Sequence, residues 1–189
     1  MAATESTMLE LGTQAPGFDL PNLNPAVSAG AVSLQDAMGD YGLLVMFICN
    51  HCPFVVHVAA ELANIGRHCA AEGVGCVAIN SNDTDNYPDD APDKMKQEAT
   101  DRGYTFPYLF DESQQVARAY SAACTPDFFL FNNEGKLVYR GQLDDSRPSN
   151  DAPVTGADLR AAIKAIVNGK PCNPEQWPSI GCNIKWKPA

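Results

Sequence analysis

The sequence predicts an α/β fold in which a central mixed β-sheet is flanked by helices. Three observations carry this. Short apolar runs alternate with helical windows, two of the runs are joined by a tight turn, and 189 residues with 45% hydrophobic and 19% charged content suit one globular core. A chain of this length buries roughly 70% of the surface its unfolded form exposes, so it needs no disulfide staples.

The first central strand is "LLVMFI", residues 43–48, an unbroken apolar run of the kind that is buried on both faces. A long helix follows. Its apolar stripe is Val55, Val58, Leu62, Ile65 and Cys69, at spacings of three and four, and His57, Glu61, Asn64 and His68 mark the opposite, solvated face. "GVGCVAIN", residues 73–80, is the next strand. "APDKMKQEATDRG" then predicts a helix with Pro92 at its first position and Gly103 just past its end. "DFFLF" (127–131) and "KLVYRG" (136–141) form an antiparallel hairpin through "NNEG". "TGADLRAAIKAIVNG" predicts the last helix, opened by a capping box from Thr155 to Asp158 and closed at Gly169.

Two acidic stretches, "SNDTDNYPDDAP" and "LDDSRPSNDAP", read as surface loops. The first has Asp83 and Asp85 at the opening spacing of a calcium loop, but it lacks the central glycine and carries Lys94 at the twelfth position, so it is expected to be solvated. The chain divides into a domain over 1–168 and a C-terminal tail over 169–189. The tail holds both tryptophans and is expected to lie across the domain so as to bury the indoles.

A net charge of −10 with scattered Lys and Arg repels a phosphate backbone, which excludes nucleic acid as a partner. No window reaches the ~20 apolar residues of a membrane span. The N-terminus, "MAATESTMLELGTQ", has no basic and then apolar leader, so the expected location is the cytoplasm. Seven cysteines in a reducing compartment point to catalysis, metal binding or burial rather than a disulfide framework.

The chemistry centres on "ICNHCPFVV", residues 48–56. Pro53 is suited to the first position of the long helix, which makes Cys52 its N-cap and leaves Cys49 at the strand end. A thiolate at Cys52 would face the free amides and the positive end of the helix dipole, lowering its pKa by roughly one unit from ~8.5. Cys52 is thus the expected nucleophile and Cys49 a partner able to close a disulfide on it. Cys69 and Cys76 read as structural thiols, and His51 as an exposed loop residue or a stabiliser of the thiolate.

These residues resemble the thioredoxin superfamily, in its peroxiredoxin-like, AhpC/TSA-type redoxin branch. "LGTQAPGFDLPN" followed by "VSLQDAMGDYGLLVMF" is similar to the N-terminal extension of redoxins, with a short helix leading into the first central strand. "CTPDFFLFNNEGKLVYRG" is similar to the thioredoxin segment of cis-proline, strand, turn and strand, and the tail "PSIGCNIKW" to that of a bacterial peroxiredoxin-like subgroup. The resemblance spans about residues 9–168 and implies a thioredoxin-like fold with Pro126 as the cis-proline and Thr125 before it, facing the active-site helix. It places Cys52 on the nucleophilic cysteine. Val55 stands where a thioredoxin has the second one, so the resemblance brings in Cys124, near the cis-proline, as a rival to Cys49 for the resolving role. It also makes Asp127 a candidate for the buried aspartate that thioredoxins keep beside the second thiol, since Met46 occupies that position. Arg140 or Arg147 would stand in for the peroxide-binding arginine of peroxiredoxins. Cys182 is expected to anchor the tail.

Three functions follow. The first is thiol–disulfide exchange with a protein or low-molecular-weight disulfide, reset by a thiol reductant system and needing no cofactor. The second is a thiol peroxidase passing through a sulfenic acid. The third is a non-enzymatic metal-binding or delivery module using Cys49, His51 and Cys52.

Overall fold

The computed structural model describes residues 3–188; the outermost residues of the 1–168 and 169–189 segments, 1–2 and 189, fall outside it. In chain order the elements are β1 (Ala3–Glu5), β2 (Asp19–Pro21), β3 (Ala31–Ser33), α1 (Leu34–Ala37), β4 (Gly42–Phe47), α2 (Pro53–Glu72) and β5 (Val74–Asn80). A 3-10 turn (Pro88–Asp90) leads into α3 (Pro92–Arg102), β6 (Tyr108–Phe110), α4 (Gln115–Ala119), β7 (Cys124–Thr125), β8 (Asp127–Asn132), β9 (Leu137–Gly141), α5 (Ala157–Val167) and β10 (Ile180–Asn183).

The main sheet is mixed and runs β6-β5-β4-β8-β9. β4, β5 and β6 are parallel, while β4–β8 and β8–β9 are antiparallel. This is the thioredoxin-like α/β arrangement, with α2, α3 and α5 packed on one face and α1, α4 and the N-terminal segment on the other. β4 is buried at every position, as its unbroken apolar run predicts. β6 escapes a periodicity reading because it is a three-residue strand squeezed between Pro107 and Asp111.

The apolar stripe of α2 is buried throughout, and Pro53 is its first residue with Cys52 as N-cap. Its polar face departs from expectation: Glu61 is buried and takes the Arg160 guanidinium at 2.6 Å. The two histidines on that face, His57 and His68, are half-buried rather than solvated.

At the start of α5 the Thr155–Asp158 capping box does not form. Gly156 is the N-cap, with φ at 65°, and the Asp144 carboxylate accepts from the Thr155 and Gly156 N–H groups at 2.6 Å each. Asp158 instead accepts from Gln142 at 2.7 Å. A buried carboxylate from the preceding loop outcompetes the local hydroxyl, because a charged acceptor makes the stronger bond.

The tail does more than lie on the surface. β10 runs between β1 and β7 in a second, antiparallel sheet. The tryptophans, however, are not what it buries: Trp177 is 66% exposed, and Trp186 is 37% exposed with the Arg118 guanidinium 4.4 Å from its ring centre. Cys182 and Ile184 take the inward positions instead.

Gly181 makes the β10–β7 approach possible. A β-carbon there would stand 2.0 Å from the Thr125 carbonyl oxygen, inside any van der Waals contact. Gly181→Ala is therefore expected to lower stability by about 3 kcal/mol, read as a lower denaturation midpoint with the m-value unchanged.

Candidate active site

The site forms where the end of β4, the start of α2, the cis-proline loop and β10 converge. The Thr125–Pro126 bond is cis, as the resemblance implies. Cys52, at 0% exposure, sits at the N-terminus of α2, where its carbonyl accepts from the N–H groups of Val55 and Val56 at 2.9 Å. Its Sγ lies 3.2 Å from the Thr125 carbonyl, and Cys49 Sγ lies 3.3 Å from the Thr125 hydroxyl.

Four groups near the Cys52 sulfur favour its charged form. The hydrogen bond from the Cys49 thiol is the largest influence, and the Cys182 thiol and the N–H groups of Val55 and Cys182 add to it. Burial opposes them, yet the balance holds Cys52 down at about 5. The Thr125 carbonyl, 3.2 Å away, accepts only from the protonated thiol and so favours that form, but it does not reverse the balance. Cys49 is driven strongly the other way, first by its bond to Cys52, then by burial and by the Asp90 carboxylate. One sulfur is thus prepared as a thiolate and its neighbour is kept as a thiol.

Asp90 was expected in a solvated loop, and the structure reverses this. It is fully buried, it accepts from the Asn50 N–H at 2.8 Å and Asn82 Nδ2 at 2.7 Å, and it faces His51 Nδ1 at 2.7 Å as an ion pair. Burial pushes its pKa up, but these bonds more than offset that and hold it below the usual carboxylate range. His51 is raised, first by this bond and also by the Cys52 anion, and its ring stacks on Tyr87 at 5.8 Å. Tyr108 donates to Asn50 Oδ1 at 2.9 Å, so the 49–52 turn is held from both sides. Ser81, Asn82 and Asp83 are buried as well, and their loop is tied to the tail through Asn82 Oδ1, which accepts from the Lys185 N–H at 2.9 Å.

Ligating atoms of Cys49, His51 and Asp90 all lie within 4.8 Å of one another. The Asp90 oxygens are already engaged by two hydrogen-bond donors and the His51 ring, so the cluster works as a support for the turn rather than as a ready metal shell.

The structure thus brings Cys49, Cys52, Thr125 and Pro126 together, and adds Cys182 from the tail. Cys124 is turned away. As the strand neighbour of Thr125 it projects to the opposite face, where its sulfur approaches the carbonyls of Pro126 at 3.7 Å and Ser179 at 4.0 Å, and burial drives its pKa far up. Asp127 also lies away from the two thiols, since alternation along β8 puts it with Phe129 and Phe131 on the face remote from α2. Arg140 is tied to the Leu9 carbonyl and Gln176, and Arg147 to the carbonyls of Asp144 and Ser146 and to Gln142, so both guanidinium groups are engaged by protein acceptors.

Asp90 gave no signal in the sequence, because nothing local separates it from Asp83, Asp85 or Asp89. For Cys182 the available signal was the glycine before it, which marks a close backbone approach.

Comparison with known proteins agrees with this geometry. A model of the AhpC/TSA family matches residues 11–140. The crystal structure of an uncharacterized conserved protein from Geobacillus kaustophilus is 54% identical, with a TM-score of 0.96, over 100% of this chain and 98% of that one. A hypothetical protein from Sinorhizobium meliloti is 48% identical, with a TM-score of 0.94, over 98% and 100%. A thiol:disulfide interchange protein from a Bacteroides species shares the fold at 20% identity, with a TM-score of 0.63, over 86% and 93%. Among curated proteins no match was found. With more than half its length matched by the family model and a cysteine-capped helix packed against a cis-proline, this chain belongs to the AhpC/TSA family of thioredoxin-like redoxins.

Proposed function

We propose that the protein is a thiol–disulfide oxidoreductase in which the Cys52 thiolate attacks a protein or low-molecular-weight disulfide. A mixed disulfide forms, a neighbouring thiol resolves it, and a cellular thiol reductant returns the protein to its starting state. One observation carries the reading: a single buried sulfur caps the N-terminus of α2 against the cis-proline loop, with the thiols of Cys49 and Cys182 beside it to favour its charged form. The seven free cysteines suit a reducing compartment, and the cytoplasm is part of the proposal. Among the described residues no helix is long and apolar enough to cross a membrane.

A peroxide is the second candidate substrate, supported by the family match, and it is less well served because the two arginines are engaged elsewhere. Metal delivery is third, since the Asp90 oxygens are taken up by protein donors.

The test is the rate of Cys52 alkylation by iodoacetamide against pH, followed by peptide mass. Lowering the pH protonates the thiolate, so the rate is expected to stay flat through neutrality and to fall only as pH approaches about 5. A midpoint at the free-thiol value of ~8.5 or above overturns the mechanism.

A further inference from the structure

The second sheet delivers a third sulfur to the site. β10 pairs antiparallel with β7 and sets Cys182 directly opposite Thr125, so the two side chains share one face of the ladder. That is the face on which the Thr125 hydroxyl meets Cys49, while the carbonyl of the same residue meets Cys52. Cys182, 3% exposed, shares the core cluster of Cys49 and Cys52, a cluster to which Cys124 does not belong. Its position is not incidental, because Gly181 lets β10 ride against the Thr125 carbonyl, and Ile184 N–H to the Ala123 carbonyl at 3.1 Å secures the strand beyond it.

We propose that Cys182 is the thiol that resolves the mixed disulfide on Cys52, so that the C-terminal tail is a catalytic arm rather than an anchor. This rests on the reading of Cys52 as the nucleophile. Two thiols compete for the role, and their charged neighbours differ. Cys49 faces the Asp90 carboxylate, which opposes formation of a second anion there. Cys182 is raised to about 12, first by burial and next by the Cys52 anion, whereas the Lys185 ammonium pulls it down. Once Cys52 is bonded to a substrate sulfur its charge is gone. Cys182 is then left with burial opposed by a cation, and Cys49 with burial and a carboxylate opposed by the neutral Thr125 hydroxyl.

The step balances. The Cys182 sulfur attacks Cys52 Sγ, the bond from Cys52 to the substrate sulfur breaks, and the departing thiolate takes up the proton that Cys182 releases. Together with the first attack, two electrons pass from the two protein sulfurs to the substrate disulfide, which leaves as two thiols. A low-molecular-weight or protein dithiol then reduces the Cys52–Cys182 bond.

The experiment treats the reduced full-length protein with one equivalent of 5,5′-dithiobis(2-nitrobenzoate), follows the released chromophore, and maps disulfides after an acid quench. The wild type is expected to release both thiol equivalents of the reagent and to show a Cys52–Cys182 peptide. Cys182→Ser is expected to release the first, lose the second, and carry a thionitrobenzoate adduct on Cys52. The assignment is overturned if Cys182→Ser releases both equivalents, or if the wild-type map shows Cys52 bonded to Cys49 or Cys124. The wild-type map depends on no variant, so a tail loosened by the substitution cannot mimic either answer. Should the wild type release chromophore no faster than Cys52→Ser, Cys52 itself is not the nucleophile, and the exchange mechanism fails along with this assignment.

Discussion

Serine at position 52 is expected to reduce disulfide turnover by on the order of 10⁴-fold, to the level of the uncatalysed exchange. The reaction needs a sulfur that is both ionised near neutral pH and able to form a bond to sulfur, and a hydroxyl is neither. The fold should be unaffected. The carbonyl of residue 52 receives the first helical N–H groups, from Val55 and Val56, and serine retains that carbonyl. Serine is also among the preferred N-cap residues, so α2 is if anything better capped. A denaturation midpoint equal to or above that of the wild type, together with lost turnover of insulin or of a chromogenic disulfide, separates lost chemistry from lost structure. Wild-type turnover by the serine variant would exclude Cys52 as the reacting group.

Alanine at position 90 is expected to produce the largest loss of stability, about 3–5 kcal/mol. Asp90 is completely buried; the Asn50 N–H and Asn82 donate to it and His51 pairs with it at 2.7 Å. Removing the carboxylate strands two donors in a dry interior, leaves the imidazole without its counter-charge and opens a cavity where it stood. Denaturant titration reads the loss. The His51 ring reports the same contact by its titration. Its pKa is raised in the folded protein first by Asp90, so the pair stabilises the fold below the unfolded histidine value and the contribution fades as pH rises through the folded one. In Asp90→Ala the His51 titration moves down, and that part of the pH dependence disappears. Unchanged stability would mean that the turn from Cys49 to Cys52 is held by something other than this carboxylate.

The sequence made the catalytic helix legible because its signals are local. Pro53 with an apolar stripe behind it places Cys52 at the cap from a few neighbouring residues, and the Thr125–Pro126 segment keeps its pattern beside a strand and a turn. The support around the helix was not legible, because it is decided at long range. Asp90 turns inward to meet partners from residues 50, 51 and 82, and no feature of "YPDDAP" announces them. Thr155 and Asp158 have the spacing of a capping box, yet Asp144, eleven residues before Thr155, captures the amides first. The tail motif around Cys182 suggests an anchor, and nothing local reveals the β10–β7 register that sets Cys182 opposite Thr125 beside Cys52.

That register has a consequence for how the protein is made. Two of the four groups that lower the Cys52 pKa, the thiol and the N–H of residue 182, are translated 130 residues after it. A chain that ends before β10 is therefore expected to ionise Cys52 less readily than the full-length protein does. Completion of the nucleophile would then wait on the last strand, and an alkylation profile of such a chain shifted to higher pH is the measurement that reads it.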